Sequence, residues 1–396
     1  MERWNWQRAD WPRLRFDAGL LAEAEERFAA GAGALLARLR RVDQSDHERI
    51  AVERVADEAM TTSAIEGEAL DRASVQSSVR RALSLGVPDA RATDAERGIA
   101  ELLVDVCRTF VLPLDEPTLL RWHALGMRGR ADLPDVGRWR MRREPMQVVG
   151  GRIDRPTVHF EAPPATRVPA EMARFIEWFN GGLAPAGRGA LRPLARAGLA
   201  HLWFESIHPF ADGNGRVGRA ISEKALAQGM EHPSLTAVSP VIGARRAEYY
   251  AALASASRGL EASAWLRWSA GAVLQAQARA QAEVEFVLAK AKLLARLGQQ
   301  LNPRQEKALL RMMEGGTAGF EGGMTAGKYV SITRASPATA TRDLSQLAEL
   351  GALARSGERR HVRYRLAMKV PPVTRIEVDA KGRVVVRAAA GANPAE

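Results

Sequence analysis

The chain has 396 residues, more than one core usually holds, with 46% hydrophobic and 26% charged residues, so two or three globular domains are expected. No run of 18 apolar residues occurs, and the single cysteine, Cys107, excludes an internal disulfide or a cysteine metal cluster and reads as buried filler. The net charge of +11 suits anionic partners such as nucleotides, nucleic acid or acidic proteins, although an Arg-rich surface by itself gives the same sum. The start is polar and carries Trp4, Trp6 and Trp11 without the apolar centre of a signal peptide, so a cytoplasmic protein with no membrane span is expected. An amphipathic stretch follows around Leu20, Leu21, Ala24 and Phe28. Residues 46–110 read as helices, with Ile50, Val52, Val55 and Met60 at helical spacing, and 114–130 as another. From Gly137 to Pro164 the texture becomes extended: Met146–Val149 and Thr157–Phe160 flank the turn residues 150–154, which predicts a β-hairpin. Helices resume near Pro169 and run over 193–225 and from Arg245 to about Leu297.

A second unit begins near Asn302. Leu301–Met313 reads as a helix, Gly315–Gly323 as a glycine-rich loop, and Ser336–Leu350 as a helix with Ser at the N-cap and Pro at the first turn. Short strands at Leu353–Ser356 and Val362–Leu366 complete the order of a winged helix-turn-helix. A hairpin over Thr374–Arg387, turning at Asp379–Gly382, and a disordered tail at Ala388–Glu396 close the chain. The expected division is therefore 1–110, 111–290, 300–368 and 369–396, in a mainly α chain.

The chemistry concentrates in His208-Pro209-Phe210-Ala211-Asp212-Gly213-Asn214-Gly215-Arg216-Val217-Gly218-Arg219. An apolar helix ends at Ile207, because Pro209 cannot continue it. Gly213-Asn214-Gly215 forms a tight turn from which a new helix starts. Free backbone N–H groups at such a start bind anions, and glycines let phosphate approach. Arg216 and Arg219, three apart, share one helix face above that point. Asp212 offers a hard carboxylate suited to Mg²⁺, and His208 a general base. Base, metal ligand, anion cradle and paired guanidiniums make a phosphoryl- or nucleotidyl-transfer set.

This string resembles the Fic motif, H-x-F-x-[D/E]-G-N-G-R-x-x-R, at every specified position. The resemblance implies a Fic-type helical domain that transfers AMP from ATP to a Ser, Thr or Tyr hydroxyl of a target protein. It implies that His208 deprotonates the hydroxyl, Phe210 anchors the loop, and Asp212 holds Mg²⁺. Gly213, Asn214 and Gly215 would cradle phosphates, with Arg216 at the β- and Arg219 at the γ-phosphate. The hairpin fits the family's flap, whose edge (Gln147, Val148, Val149, Gly150) would clamp the target as an added strand. Gly137-Arg138-Trp139-Arg140 is similar to the family's G-x-x-R lead-in. Tyr249 and Tyr250 match an aromatic pair that lies near the adenine in relatives; plain helix packing explains them equally well.

Upstream, Thr62-Ser63-Ala64-Ile65-Glu66-Gly67 resembles the Fic inhibitory motif, [S/T]-x-x-x-E-[G/N], with Thr62 and Glu66 as its markers. The expectation is a bidentate ion pair of Glu66 with Arg219; the competing account is an exposed helix end capped by Gly67. Residues 6–12 are also similar to an N-terminal module found with this Fic subtype. Residues 301–366 hold 11 Lys+Arg against 6 Asp+Glu, a net of +5. Thr339 and Arg342 on the candidate recognition helix, and Arg359, Arg360, His361 and Arg363 on the wing, suit DNA, while a protein-docking or dimer module remains the alternative. Three functions stay open: AMP transfer restrained by Glu66; AMP removal or transfer of another phosphate-containing group; and a DNA-binding regulator with a Fic sensor. His47, His123, His159, His201 and His232 show no metal-ligand spacing. The target protein and the oligomeric state, a homodimer among the options, are not legible.

Overall fold

Local caps decide where several of the helices begin, as seen in a computed structural model that describes residues 4–86, 92–133, 135–142, 144–152, 155–181, 191–233, 236–369 and 374–387. In order, the chain forms α1 (Ala22–Leu39), α2 (Gln44–Ile65), α3 (Arg72–Ala82), α4 (Asp94–Arg108) and α5 (Glu116–Gly126). Strands β1 (Gln147–Arg152) and β2 (Arg155–Glu161) follow, then α6 (Val168–Gly181), α7 (Pro193–Ile207), α8 (Asn214–Met230), α9 (Ser239–Ala244), α10 (Arg246–Ala256) and α11 (Ser263–Leu297). The remainder is α12 (Pro303–Met313), α13 (Ala326–Thr333), α14 (Pro337–Glu349), β3 (Leu353–Ser356), β4 (Arg363–Leu366), β5 (Arg375–Val378) and β6 (Val384–Arg387). Asp71, Thr93, Asp115, Asn302, Thr325 and Ser336 each accept a backbone N–H of the first turn with a side-chain oxygen. At Thr93, Glu96 returns the bond to complete a capping box. The fold is mainly α, and each sheet has two antiparallel strands.

Contacts divide the chain into two compact units. The first comprises residues 1–34, 48–278 and 374–396, the second 35–47 and 279–373. In the first unit α7 is buried on nearly every side, from Leu194 to Ile207, as expected of a helix apolar all round. Phe175, Phe179, Phe210 and Trp122 join its Trp203 and Phe204 in the core, and α8 lies against α7, α4 and α5. The same core takes in Leu21 and Phe28 from α1 and its approach, and Val378 and Val384 from the β5–β6 hairpin. That hairpin is tied to this unit by Arg375, which donates to Glu248 at 3.0 Å, and by the Val384 N–H, which donates to Glu23 at 3.0 Å. The early tryptophans also have structural roles. Trp4 meets Phe160 edge-on at 5.4 Å, Trp6 donates to the Glu161 carbonyl at 2.6 Å, and Trp11 donates to Glu171 at 2.9 Å.

The second unit has its own core of Leu309, Met312, Tyr329, Leu344, Leu347 and Tyr364. Asp343 of α14 is buried and satisfied by Arg304 and by the Tyr329 hydroxyl, each at 3.0 Å. Helix α13 is not announced by patterning, because Gly327, Val330, Ile332 and Thr333 are weak helix formers. It rests on the Thr325 cap and on packing of Tyr329. Its elements follow in the order α12, α13, α14, β3, β4. Residues 153–154 of the expected turn, Pro371, Pro372, the Arg360 side chain and the expected tail 388–396 lie outside the described part.

Candidate active site

Helix α7 ends at His208, which takes the left-handed conformation (φ 50°, ψ 61°) and donates its N–H to the Phe204 carbonyl at 2.9 Å. A non-glycine residue there is uncommon and marks a constrained position. Arg140 supplies the constraint. It is buried and donates to the His208 carbonyl at 2.7 Å and to the Pro163 carbonyl at 2.5 Å, while its own N–H donates to the Pro209 carbonyl at 2.9 Å. Asn214 clasps the turn from the other side: its Nδ2 donates to the Phe210 carbonyl at 2.8 Å, and its Oδ1 accepts the Phe210 N–H at 2.9 Å. Phe210 is fully buried, stacked on His123 at 3.8 Å, with Trp139 tilted against it at 5.0 Å.

His123 closes the arrangement. Its Nδ1 accepts the Gly137 N–H at 2.9 Å, so its Nε2 carries the proton and donates to the Asp212 carbonyl at 3.1 Å. Burial lowers its pKa to about 4, which keeps the ring neutral in that role. Sequence spacing offers no sign of this function; the residue lies 89 positions from its partner.

Burial, and next the Arg140 charge, lowers the His208 pKa to about 4. A neutral imidazole carries one proton and leaves its other ring nitrogen as an acceptor. The Glu205 carboxyl lies 3.7 Å from Nδ1, but burial and then Glu66 push it up to about 8. At neutral pH both groups are uncharged, and this approach is not an ion pair. His208 is therefore an unprotonated base at neutral pH.

Gly213 (φ 77°) starts α8, a conformation open to glycine at little cost. Above it Arg216 donates to the Gly126 carbonyl at 2.5 Å and meets Glu68 at 2.9 Å. Arg219 donates from Nε to the Thr62 hydroxyl at 2.7 Å, and from Nη2 to the Thr62 carbonyl at 3.1 Å and Glu66 Oε1 at 2.8 Å. The Glu66–Arg219 contact is single rather than bidentate, because Thr62 occupies Nε. Gly67 caps α2 in the left-handed region (φ 86°), and that cap presents Glu66 to Arg219, although Thr62, Ser63 and Ile65 of the same helix end are buried rather than exposed.

Asp212 is 41% exposed at its side chain; Oδ1 accepts the Gly213 N–H at 2.6 Å and Oδ2 takes Arg130 at 3.0 Å. Among the described residues there is no group of three or more His, Cys, Asp or Glu that would cage a metal. Mg²⁺ commonly needs only one or two carboxylates when substrate phosphates complete its shell, so Asp212 fits that ion once Arg130 yields.

Two family models match the chain: the Fic/DOC family over residues 113–226, and the Domain of unknown function (DUF4172) over 4–85. The chain carries a Fic/DOC family domain. A curated relative, protein adenylyltransferase fic-1 of Caenorhabditis briggsae, is 33% identical over 89 residues. The match spans 22% of this chain and only 16% of that relative's length. A solved Fic family protein from Desulfovibrio desulfuricans G20 is 22% identical, covering 87% of this chain and 96% of its own, with a TM-score of 0.49. Fic-1 (residues 134–508) from C. elegans is 21% identical, covering 65% and 71%, with a TM-score of 0.45.

Around the Fic/DOC turn the remaining sequence candidates fall into two groups. Tyr249 is buried and its hydroxyl meets His201 Nε2 at 2.8 Å, which makes both core residues. Tyr250 is 40% exposed and sits 5.1 Å from Tyr249, under Arg246. On the hairpin, Gln147, Val148 and Val149 are exposed, and Gly150 pairs with Thr157. A bulge between Val148 and Val149 shifts the register, and no third strand pairs with β1 among the described residues. Cys107 is half-buried, and burial pushes its thiol up to about 12, so it is no nucleophile. No described helix is long and apolar enough to cross a membrane.

Proposed function

We propose that the protein transfers AMP from ATP to a hydroxyl of a target protein, and that Glu66 restrains the transfer. The observation that carries this reading is the meeting of a neutral, partly buried His208 with the glycine turn, Arg216 and Arg219 at the start of α8. In this reading the triphosphate lies on the α8 N–H groups and the two guanidiniums. The free nitrogen of His208 takes the proton of the incoming hydroxyl as its oxygen bonds to the α-phosphorus. The bond from that phosphorus to the bridging oxygen breaks, and pyrophosphate leaves. Asp212 would hold Mg²⁺, which neutralises phosphate charge when bound. The open edge of β1, with exposed Val148 and Val149, suits a target segment added as a strand. Tyr250, half-exposed, is the better placed of the two tyrosines for an adenine; Tyr249 supports it from the core. The need for ATP agrees with a cytoplasmic location.

Glu66 pairs with the guanidinium that this reading assigns to the γ-phosphate. Misplaced phosphates put the α-phosphorus out of line with the hydroxyl, and such misalignment costs about 10²-fold. Glu66→Gly is therefore expected to raise labelling of the protein by α-labelled ATP by at least about tenfold, and Arg219→Ala added to it cancels the gain. Equal labelling of wild type and Glu66→Gly would remove the restraint. A loss of labelling would favour a second reading, AMP removal, in which Glu66 orients a water; its partial exposure over the glycine turn suits that role.

A further inference from the structure

The segment that carries Glu66 carries a second carboxylate. After Ile65, Gly67 turns left-handed, its N–H donates to the Ala64 carbonyl at 3.1 Å, and the Glu68 N–H donates to the Ser63 carbonyl at 3.0 Å. This pair of bonds is a Schellman cap, which folds the chain back on the helix end. It aims two glutamates at two arginines one turn apart: Glu66 at Arg219 (2.8 Å) and Glu68 at Arg216 (2.9 Å). The two sides differ in burial. The arginine side chains are 3% and 5% exposed, the glutamates 25% and 29%. Among the described residues, Arg219 Nη1 and Arg216 Nε are buried without a hydrogen-bond partner, and a Cβ on Gly215 would collide with Glu66 Oε1 and crowd Arg219 Nη1. Fixed, buried guanidiniums with spare donors beside a helix start are built for an anion larger than the carboxylates that now touch them. The glutamates sit on the accessible side and are the replaceable partners.

We propose that Glu68 is a specificity-determining residue that competes for Arg216 as Glu66 competes for Arg219, so the two carboxylates stand in for neighbouring phosphates of one nucleotide. The proposal rests on the reading that this turn takes ATP. Arg216 lies one turn nearer Gly213 and would receive the inner of the two outer phosphates; Arg219 would receive the terminal one. Removing Glu66 then frees only the terminal position, and a nucleoside diphosphate gains nothing from it. Removing Glu68 frees the inner position and helps diphosphate and triphosphate alike.

The test is calorimetric titration of the full chain with Mg²⁺ and either ADP or α,β-methylene ATP, which cannot transfer AMP. Wild type, Glu66→Gln, Glu68→Gln and the double variant are compared, with Glu68→Ser as a second removal of the charge. Glu68→Gln and Glu68→Ser are expected to tighten ADP by about three- to tenfold, the effect of losing a half-buried ion-pair competitor. Glu66→Gln should leave ADP within about twofold and tighten only the triphosphate. If ADP affinity is unchanged or weaker in both Glu68 variants while the triphosphate still binds, Glu68 merely orients Arg216 and the proposal fails. If none of the proteins binds either nucleotide, the nucleotide reading fails and takes this inference with it.

Discussion

His208 owes its place to one backbone angle. A left-handed residue at the end of α7 lifts the ring out of the helix, and Arg140 holds the carbonyls on both sides of it. The same guanidinium, after burial, depresses the ring's pKa to about 4, well below the usual 6.5 of histidine. A base acts unprotonated, so activity that depends on it is retained as pH falls through 6.5 and lost only on approach to pH 4. In the Glu66→Gly background, the acid limb of kcat/KM should therefore lie near pH 4–5 rather than at 6.5, since kcat/KM reports the free enzyme. A limb at 6.5 would mean that the ring is solvated in the working state. His208→Ala should cut transfer by about 10²–10⁴ while nucleotide binding, read by calorimetry, persists. Near-normal transfer by that variant would remove the histidine from the chemistry.

At the scale of elements, the end of α2 is both a helix terminus and part of the site. Gly67 has nothing within 4 Å of a would-be Cβ, so its requirement is conformational and not steric. Gly67→Ala should lower stability by about 1–2 kcal/mol in denaturant titration, the cost of an L-residue in the left-handed region. It should also raise labelling from α-labelled ATP, because both glutamates depend on that cap. Gly67→Asn, which tolerates the conformation, should do less of each. Labelling that stays at the wild-type level in a measurably destabilised Gly67→Ala would separate the cap from the restraint. Among the elements, caps and breaks were the legible part: Ser336 before Pro337 and Pro209 after Ile207. Helix α13 was not, since its residues favour helix weakly and the Thr325 cap and Tyr329 packing secure it.

At the scale of the molecule, the first unit is discontinuous, and its last piece is the β5–β6 hairpin. Val378 and Val384 enter the core, and Arg375 reaches Glu248. Deleting residues 374–396 should therefore lower the Tm of the first unit, each buried valine contributing about 1.5–3 kcal/mol. An unchanged melting curve would show the hairpin to be dispensable. The second unit offers Arg342 on α14 and Arg355, Arg359 and Arg365 around β3–β4 as exposed cations, whereas Thr339 is partly buried and hydrogen-bonded to the Ser336 hydroxyl. If this unit docks on duplex DNA, Arg342→Ala and Arg359→Ala should each weaken a gel-shift complex and reduce its salt slope by about 1. No retardation of genomic fragments at low salt would favour a protein-docking role.

The chemistry of residues 208–219 is legible because it is local. One helix end, one tight turn and one helix start carry His208, the Asn214 clasp, the glycines proposed as an anion cradle and both arginines, and local geometry follows from contiguous sequence. What holds that turn comes from far along the chain: Arg140 lies 68 residues from His208, His123 lies 89 from Asp212, and Glu66 lies 153 from Arg219. No period or spacing links such pairs, because they meet only when packed helices bring their faces together. Burial was likewise decided by packing. It made Tyr249 a core residue and left Tyr250 at the surface, turned His123 into a neutral brace, and set the charge state of His208. The sequence alone determined which groups are present at the turn; the tertiary structure determined their partners and protonation, since both depend on what surrounds a group in space.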